Sequence, residues 1–526
     1  MFFNLAFTGT MYFEKPLGKS KPKKSIIPYI NSIAYNDYQN LEKGSDFDFG
    51  GDAKFIIDNS ITLDLTINPD FSQVEVDQQV TNLTRFEITL PEKRQFFIEN
   101  SDLFSGFGNG REARPFFSRR IGIAKDKNGN NIENKIIAGF RLSGKINNNL
   151  RIGLLNMQTS DDVENEISAY NNSIITLQQK VFGRSNINLL LINREATGEH
   201  DYINENDVYN RILGFDYNLR SKNSKWDGKY YFHKSFSPDN DENSTSYGLS
   251  TSYESRNFGF RAAGLYIGDD FRSDLGYIRR NNIIKLYPEI SYTIWPEKSK
   301  FLNHRFEFTP VFILKPELNN KISDYYIISK LNTYALNSER IDLMMWNNYT
   351  YLFEDFDPTG TNTGNPLPAN SEYYYTSFDI SFNSDYSKDF TYKINPSYGK
   401  FYNGTKTSLD IRLSHRIRPK FTSSLEIKYD KVKLPEPFSS ANILLIAPRF
   451  EVTFSKNVYW ATLMQFSNQS ENLSLNTRLQ WRFAPLSDLF LVYNDNYYTE
   501  NRYNSIFIPR VKSRSINLKL TYWLDI

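Results

Sequence analysis

The chain has 526 residues, no cysteine and a net charge of +2, and its mean hydropathy is -0.54. The absence of cysteine excludes disulfides and thiolate metal sites, and the small net charge argues against nucleic acid as a partner. No run approaches the roughly 18 consecutive apolar residues that predict a membrane helix. The 35 tyrosines and 41 phenylalanines favour β-strands and membrane interfaces instead.

The first long irregular stretch in the chain covers residues 68–115. Charge is high there and the alternation of apolar and polar residues fails. Pro69, Pro91 and Pro115 rule out one continuous strand. Residues 61–67 before this stretch and 117–124 after it alternate again and are predicted to be strands. The stretch is therefore predicted to be an insert in an otherwise strand-rich chain.

The later part of the chain alternates with a period of two, most clearly near the C-terminus. In residues 516–526, Leu518 and Leu520 lie on an apolar face, and the residues between them are mostly polar. Residues 473–483 repeat the pattern, with Leu479 on the apolar face and Asn476 on the polar one. Strands of about 10 residues with one apolar face have the length and pattern that cross a bilayer in outer-membrane barrels.

Connection lengths support the same interpretation, because short and long connections alternate along almost the whole chain. Short turns at residues 485–487 and 456–457, for example, flank longer connections. The sequence thus predicts an all-β protein, a large antiparallel transmembrane barrel of about 26 strands, with 22–26 plausible, forming a single domain over residues 1–526. Counting places both ends of residues 68–115 at the periplasmic rim, and this stretch is predicted to be a plug-like insert in the lumen.

The predicted insert and the residues just after it are rich in paired charges. They are predicted to hold the insert in register in the lumen rather than to act in catalysis. The candidate residues for this role are Asp70, Glu75, Asp77, Glu92, Lys93, Arg94, Glu99, Arg119 and Arg120. No catalytic residue, metal site or cofactor is predicted.

Two alternatives stay open at this point. A carbohydrate-active all-β enzyme could use carboxylates of residues 68–120, because glycoside hydrolysis needs two carboxyl groups of which one stays protonated. A structural subunit of an outer-membrane secretion or assembly complex is the other alternative.

Four motifs carry a resemblance to a known family: residues 68–77 (NPDFSQVEVD), 82–87 (NLTRFE), 90–104 (LPEKRQFFIENSDLF) and 116–122 (FFSRRIG). The sequence resembles a Bacteroidota family of outer-membrane barrel domains of unknown function. In that family the barrel usually follows a secretory signal and a family-9-like carbohydrate-binding module. The resemblance implies an outer-membrane barrel with a connection to glycans. Together with the alternating faces and the connection lengths, it leads to the hypothesis that the barrel serves transport, export or surface binding.

The resemblance also bears on location and partners. The start of this sequence has no basic n-region and no small-residue cleavage site, so we expect the chain to be a fragment or truncated form of an exported protein of the bacterial outer membrane. The expected partners are outer-membrane lipid and a glycan or export substrate, with no nucleic acid.

Overall fold

Antiparallel strands run through most of the chain in the computed structural model, which describes residues 14, 24–58, 60–69, 77–129, 131–198, 201–239, 242–361, 364–499 and 510–526. Each strand pairs with its neighbour in the sequence, and the first strand pairs with the last, so the sheet closes into a barrel of 24 strands. The first twelve strands are β1 Lys24–Asp37, β2 Glu42–Asp58, β3 Ile61–Ile67, β4 Ile136–Lys145, β5 Leu150–Thr159, β6 Tyr170–Val181, β7 Ser185–Ala196, β8 Tyr209–Arg220, β9 Trp226–Phe236, β10 Thr245–Glu254, β11 Phe258–Ile267 and β12 Ile283–Leu286 with Glu289–Ile294. The second twelve are β13 Phe301–Lys315, β14 Lys321–Ala335, β15 Arg340–Leu352, β16 Ser371–Asn383, β17 Phe390–Phe401, β18 Gly404–Ile417, β19 Phe421–Lys433, β20 Ala441–Ser455, β21 Val458–Ser467, β22 Asn472–Ala484, β23 Ser487–Tyr498 and β24 Arg510–Thr521 with Leu524–Asp525.

The predicted large antiparallel barrel is confirmed, and its strand number lies within the predicted range. The sheet contains 26 strand segments because β12 and β24 are each interrupted once. In β12 the interruption contains Pro288, which has no N–H to donate to the ladder.

The two faces of the wall differ in exposure as the alternation predicts. On β7, Leu190 is 0% exposed, whereas Leu189 and Leu191 on the other face are 44% and 47% exposed. The same contrast separates Ile212 from Leu213 on β8, which is paired with β7. An exposed apolar face that continues from strand to strand is the face that a membrane barrel presents to lipid.

The two rims of the barrel carry different connections. At one rim, called the short-turn rim, the first strand begins and the last strand ends. There the Ser25 hydroxyl donates a hydrogen bond to the Asp525 carboxylate at 2.7 Å. Its connections have at most six residues, such as 59–60, 456–457 and 485–486. The opposite rim, called the long-loop rim, carries the longer connections, among them 197–208, 268–282 and 353–370.

The connection from β3 to β4, residues 68–135, arises on the side of the long-loop rim. The prediction placed its ends at the rim of the short turns, and that prediction is wrong. The cause is residues 117–124, which form no barrel strand: they hold a 3-10 turn at Ser118–Arg120 and the start of a short hairpin, Ile123–Lys125 with Asn131–Glu133. Removing one strand from the count moves the connection to the other rim.

Helices are few and short in this fold. Two α-helices, α1 Gln95–Ile98 and α2 Asp102–Ser105, lie in the β3–β4 connection. Further 3-10 turns occur at Glu205–Asp207 and Pro316–Leu318, and one more strand pair joins Ala113–Arg114 to Tyr277–Ile278. Among the residues that the structure describes, no helix is long and apolar enough to cross a membrane.

Candidate functional site

The described parts of residues 68–135, called the insert below, pack against the inner face of the barrel. Phe104 of the insert belongs to one buried cluster with Leu190 of the wall, on the face opposite to the exposed Leu189. Gly153 of β5 allows this close packing, since a Cβ there would lie 2.8 Å from Cζ of Phe104. The wall is thus shaped to accept the ring.

The insert also reaches the far side of the lumen. Leu83 packs against a second buried cluster, which consists of Leu352, Leu367, Val432 and Leu434. The backbone N–H of Gln79 donates to Gln465 of β21 at 2.7 Å. The described part of the insert therefore contacts the inner wall from β4 round to β21.

Arg141 of β4 attaches the α1 region to the wall. Its guanidinium donates to Asp64 of β3 at 2.6 and 3.1 Å and to the carbonyl of Glu99 at 2.6 Å, and it also bonds to the carbonyl of Phe96. The Glu99 carboxylate pairs with Lys54 of β2. The Arg141 side chain is 3% exposed, so this is a buried charge with partners on both the wall and the insert.

Glu92 and Arg94 join two parts of the insert. The Glu92 carboxylate accepts from Arg94 at 2.7 and 2.8 Å and from the Ser118 hydroxyl at 2.6 Å, while Arg94 donates to the carbonyl of Ile121 at 2.7 Å. Burial acts on the pKa of Glu92 by raising it, but the bonds from Arg94 and Ser118 outweigh burial and hold this pKa below its usual range. The Glu92 carboxylate is therefore ionised, and it connects Arg94 to Ser118 within the insert.

Asp77 joins the part of the insert before α1 to the 3-10 turn at Ser118–Arg120. Arg119 donates to both carboxylate oxygens at 2.6 and 2.9 Å, and Lys93 lies 3.2 Å away. Burial raises the pKa of Asp77, and Arg119 and Lys93 more than offset it, so the pKa lies below the usual value. The bidentate geometry also fixes the orientation of the Arg119 side chain.

Arg120 and Glu87 form a more exposed pair at 2.7 Å, and Arg120 also donates to the carbonyl of Gly276 at 3.0 Å. The seven described candidates thus all take part in ion pairs, in three groups within the insert and one between the insert and the wall. Asp70 and Glu75 lie outside the described residues.

Glu112 was missed by sequence reasoning, although it is the most buried carboxylate of the described insert. Its side chain is 1% exposed and pairs with Lys285 of β12 at 2.6 Å, with Arg279 at 3.6 Å and Arg280 at 3.9 Å. Burial raises the pKa of Glu112, but the three cations hold it below its usual range. The cations follow Glu112 by more than 160 residues, and no local spacing marks the pairing.

A second buried contact that the sequence does not reveal lies on β8 and β9. Asp216 accepts a hydrogen bond from the backbone N–H of Gly108 at 3.0 Å and also contacts His233 at 2.7 Å and Lys229 at 3.2 Å. Gly108 has φ +64°, and a Cβ there would lie 2.5 Å from the carbonyl oxygen of Ala113. Glycine is therefore required where the insert approaches this carboxylate.

Acidification is expected to release residues 109–115 from the wall. Because the folded-state pKa of Glu112 is depressed, its stabilising contribution is complete above the usual carboxyl value of 4.5 and is lost as the pH falls through the lowered folded-state value. Hydrogen exchange of residues 109–115, followed from pH 7 downwards and corrected for intrinsic rates, measures this release.

The Glu112→Gln variant is expected to show little dependence on pH in the same peptides. Glu317→Gln is the matched control, because the Glu317 side chain lies in a loop and is 49% exposed. An equal acid response in wild type and Glu112→Gln would contradict this role of Glu112.

The chemistry available in the insert is mainly electrostatic. No group of three or more metal-ligating side chains occurs within the described residues. A general acid in glycoside hydrolysis needs a raised pKa, whereas the pKa of Glu92 is lowered and both of its oxygens are bonded. Glu92 is thus poorly suited to the acid role in the enzymatic alternative.

Among solved structures, the chain resembles receptors and transporters of low sequence identity. The siderophore receptor PirA from Acinetobacter baumannii matches with 8% identity and a TM-score of 0.44, covering 96% of this chain and 81% of that chain. PirA from Pseudomonas aeruginosa matches with 7% identity and a TM-score of 0.43, covering 96% and 81%. The copper transporter OprC matches with 8% identity and a TM-score of 0.41, covering 97% and 82%.

No curated protein matches the chain. Residues 23–478 match the family described as "Domain of unknown function (DUF5916)". This match covers most of the barrel and the whole insert, including the residues that pair with the wall. The chain belongs to the DUF5916 family.

Proposed function

We propose that this protein is an outer-membrane barrel in which the insert acts as a plug, and that it serves transport, export or surface binding. The single observation that carries the proposal is a closed barrel with an exposed apolar outer face and an inner face joined to a long insert by ion pairs. A wide barrel needs its lumen filled if it is to remain closed.

Aromatic residues on the outer face support a membrane location. Near the long-loop rim, the Tyr349 ring stacks with Tyr325 at a centroid distance of 5.4 Å and packs in a tilted arrangement against Tyr374 at 4.7 Å. Near the short-turn rim, Trp481 and Phe483 pack at 5.9 Å. Aromatic rings at both ends of an apolar band are typical of barrels in a bilayer, because the rings prefer the interfaces.

The membrane part of the proposal is tested by heat modifiability. The protein, refolded in detergent, is expected to migrate differently on a denaturing gel before and after boiling. A protein that stays soluble without detergent and migrates identically in both lanes would contradict the proposal.

The plug part is tested by conductance in planar bilayers. The backbone N–H of Asn68 donates to the carbonyl of Ile137 at 2.7 Å, so the two ends of the insert adjoin and residues 69–135 can be replaced by a short Gly-Ser linker. The deletion variant is expected to conduct much more than wild type. Glu112→Lys, which places a fourth cation beside Lys285, Arg279 and Arg280, tests the same point if the deletion does not fold. Equal conductance of wild type and a folded variant would reject the plug.

The connection to glycans, the Bacteroidota origin and a role as a structural subunit remain predictions from sequence.

A further inference from the structure

A cavity of about 340 Å³ lies on the inner side of strands β7–β10, where these strands meet the short-turn rim. Two arginines line it: Arg184 in the turn before β7, and Arg220 at the end of β8. We call it the rim cavity. Its volume suits a small solute, since ligand sites commonly enclose about 300–1,000 Å³.

The lining belongs to the inner face of the wall. Because side chains alternate along a strand, Asn218 and Arg220 share a face with Asp216, which contacts the insert. Asn218 donates to Asn186 of β7 at 2.8 Å and lies opposite Lys229 of β9 in the register. The rim cavity is therefore part of the lumen and not of the lipid-facing surface.

Within the described residues, neither guanidinium group of the rim cavity is paired with a carboxylate. Arg184 donates to the hydroxyl of Ser224 at 2.5 Å. The Nε atom of Arg220 is buried and has no hydrogen-bond partner. A guanidinium carries five N–H donors, so both arginines keep donors for a ligand. Because a buried donor without a partner is unfavourable, a bound acceptor at Arg220 would recover free energy.

Two further charged groups line the rim cavity. Lys229 lies 3.2 Å from Asp216 and donates to the carbonyl of Gly106, so its charge is balanced within the protein. Asp227 is exposed and lies opposite Arg220 in the register of β8 and β9. Two guanidinium groups against one carboxylate leave the lining with a net positive charge.

A smaller cavity of about 180 Å³ continues from the rim cavity towards the insert, since Asn218 lines both. Its insert side includes Asp102, whose charge is balanced by Arg151 at 2.7 Å. Its wall side includes Thr176 and Asn188, which are 1% and 5% exposed. Oγ1 of Thr176 and Oδ1 of Asn188 are buried and have no hydrogen-bond partner. The inner end of the cleft thus offers a hydroxyl and an acceptor to a polar solute.

The uncharged lining of the rim cavity is hydrophilic. It includes the amides of Asn186 and Asn218 and the hydroxyl of Ser250, whereas Leu219 alternates to the outer face. Guanidinium groups bind carboxylate and phosphate oxygens in paired geometry. The lining thus matches an oxyanion with a polar body.

We propose that the rim cavity binds small hydrophilic oxyanions, with Arg184 and Arg220 as the residues that contact the oxyanion. This inference rests on the proposed function: the short turns of outer-membrane barrels face the periplasm, so the cavity lies at the periplasmic mouth of the lumen. The shared chemistry is an oxyanion on a polar body, and inorganic phosphate and gluconate distinguish a phosphate from a hydroxylated carboxylate.

Calorimetric titration of the folded barrel in non-ionic detergent tests the proposal. Wild type is expected to bind inorganic phosphate. The Arg184→Gln/Arg220→Gln double variant is expected to bind it at least about tenfold more weakly, because charge-assisted hydrogen bonds are lost. Since neither arginine is paired with a carboxylate, the double variant is expected to keep its heat-modifiable fold.

Arg256→Gln/Arg418→Gln is the matched control, because both arginines lie in turns of the same rim but outside the lining. The Arg256 guanidinium lies over the ring of Trp295 at 5.5 Å, and the Arg418 side chain is 59% exposed. This variant loses the same charge and is expected to bind phosphate as wild type does. Equal weakening in the two double variants would overturn the assignment of Arg184 and Arg220.

Gluconate and benzoate identify the kind of anion. Gluconate binding that the Arg184→Gln/Arg220→Gln variant loses, without phosphate binding, would support the site and assign it to hydroxylated carboxylates. Benzoate binding stronger than that of both polar anions would overturn the hydrophilic character of the site.

Asp227→Asn tests the electrostatic argument. Removing the carboxylate from the lining is expected to strengthen phosphate binding at least about threefold, because like charges repel. Unchanged or weaker phosphate binding in a folded Asp227→Asn variant would contradict this argument.

Failure of the inference can be told apart from failure of the proposed function. No binding of phosphate or gluconate by a heat-modifiable wild type would overturn this inference and leave the barrel and plug proposal standing. Identical migration of wild type before and after boiling would instead overturn the proposed function.

Discussion

Replacing Arg141 with methionine is expected to lower the free energy of unfolding by about 3–5 kcal/mol, because removal of one partner leaves a buried charge uncompensated. Asp64 would lose both bonds from the guanidinium and keep only Lys54, at 3.9 Å. The carbonyl of Glu99 would lose its donor as well. The measurement is urea unfolding of the refolded barrel, followed by the gel shift of the unboiled sample and by tryptophan fluorescence.

Arg412→Met is the matched control, with the same substitution on the same inner wall. Arg412 pairs with Glu426 at 3.2 Å, but its side chain is 56% exposed and Glu426 keeps Lys428 as a partner. Exposed pairs are worth about 0–1 kcal/mol, so a small effect is expected. Equal losses in the two variants would mean that Arg141 does not hold the insert and β3 together. A conductance increase in Arg141→Met alone would show that the stability lost is that of the insert.

The Leu479→Arg substitution is expected to lower the free energy of unfolding of the barrel by about 2–4 kcal/mol, because the arginine side chain would face lipid near the middle of the bilayer. Leu479 lies at the centre of β22, is 40% exposed and pairs with Leu491 of β23, which in turn pairs with Leu518 of β24. Leu518→Arg is therefore expected to cost about as much. The measurement is the equilibrium between folded and unfolded protein in lipid vesicles across a denaturant series.

The position of Leu520 differs from that of Leu479, although both have the same place in the sequence pattern. Leu520 pairs with Leu489, which pairs with Trp481, so it lies at the level of the interfacial aromatics. The Leu520→Arg substitution is therefore expected to lower the free energy of unfolding by only about 0–1 kcal/mol.

Gln480→Arg provides the control on the inner face, one residue from Leu479. Gln480 donates to Asp488 at 3.0 Å, and an arginine can keep this partner. Asn476 also faces inward, but it lines a cavity together with Arg449 and Arg478, which an added cation would meet. Equal costs at Leu479 and Gln480 would contradict the assignment of the lipid-facing side.

Local sequence patterns are sufficient to predict the barrel wall. Side chains of a strand alternate between two faces, so an apolar and a polar face can be read from order alone, as in Leu479 and Gln480. Connection lengths then show that neighbouring strands are joined by tight turns at one rim. Both signals are local, and both depend on backbone geometry that every residue shares.

The partners of the charged residues in the insert cannot be predicted from such local patterns. Its charged residues stand out in the sequence, yet nothing in their spacing distinguishes a bond within the insert from one to the wall. Glu92 and Arg94 are two residues apart and bond each other, whereas Glu99 reaches Lys54 of β2. Glu112, the carboxylate with three cationic partners, resembles any other acidic residue of the stretch until those partners are known.

The rim from which the insert arises depended on a single segment. Residues 117–124 alternate as a strand does, but Arg119 and Arg120 turn towards Asp77 and Glu87 of the insert instead of joining the sheet. Each barrel strand carries the chain from one rim to the other. Counting residues 117–124 as a strand therefore places the connection that precedes them at the wrong rim.

The alternation, the length of the strands and the rhythm of the turns thus establish a large barrel with a charged insert between β3 and β4, since these features follow from the geometry of single strands and hairpins. Only the tertiary structure decides which rim the insert enters from and which wall residues bind it. Those depend on ion pairs between residues distant in sequence, such as Glu112 and Lys285, which are 173 positions apart. The energy of such a pair is set by burial and distance, which the order of residues does not contain.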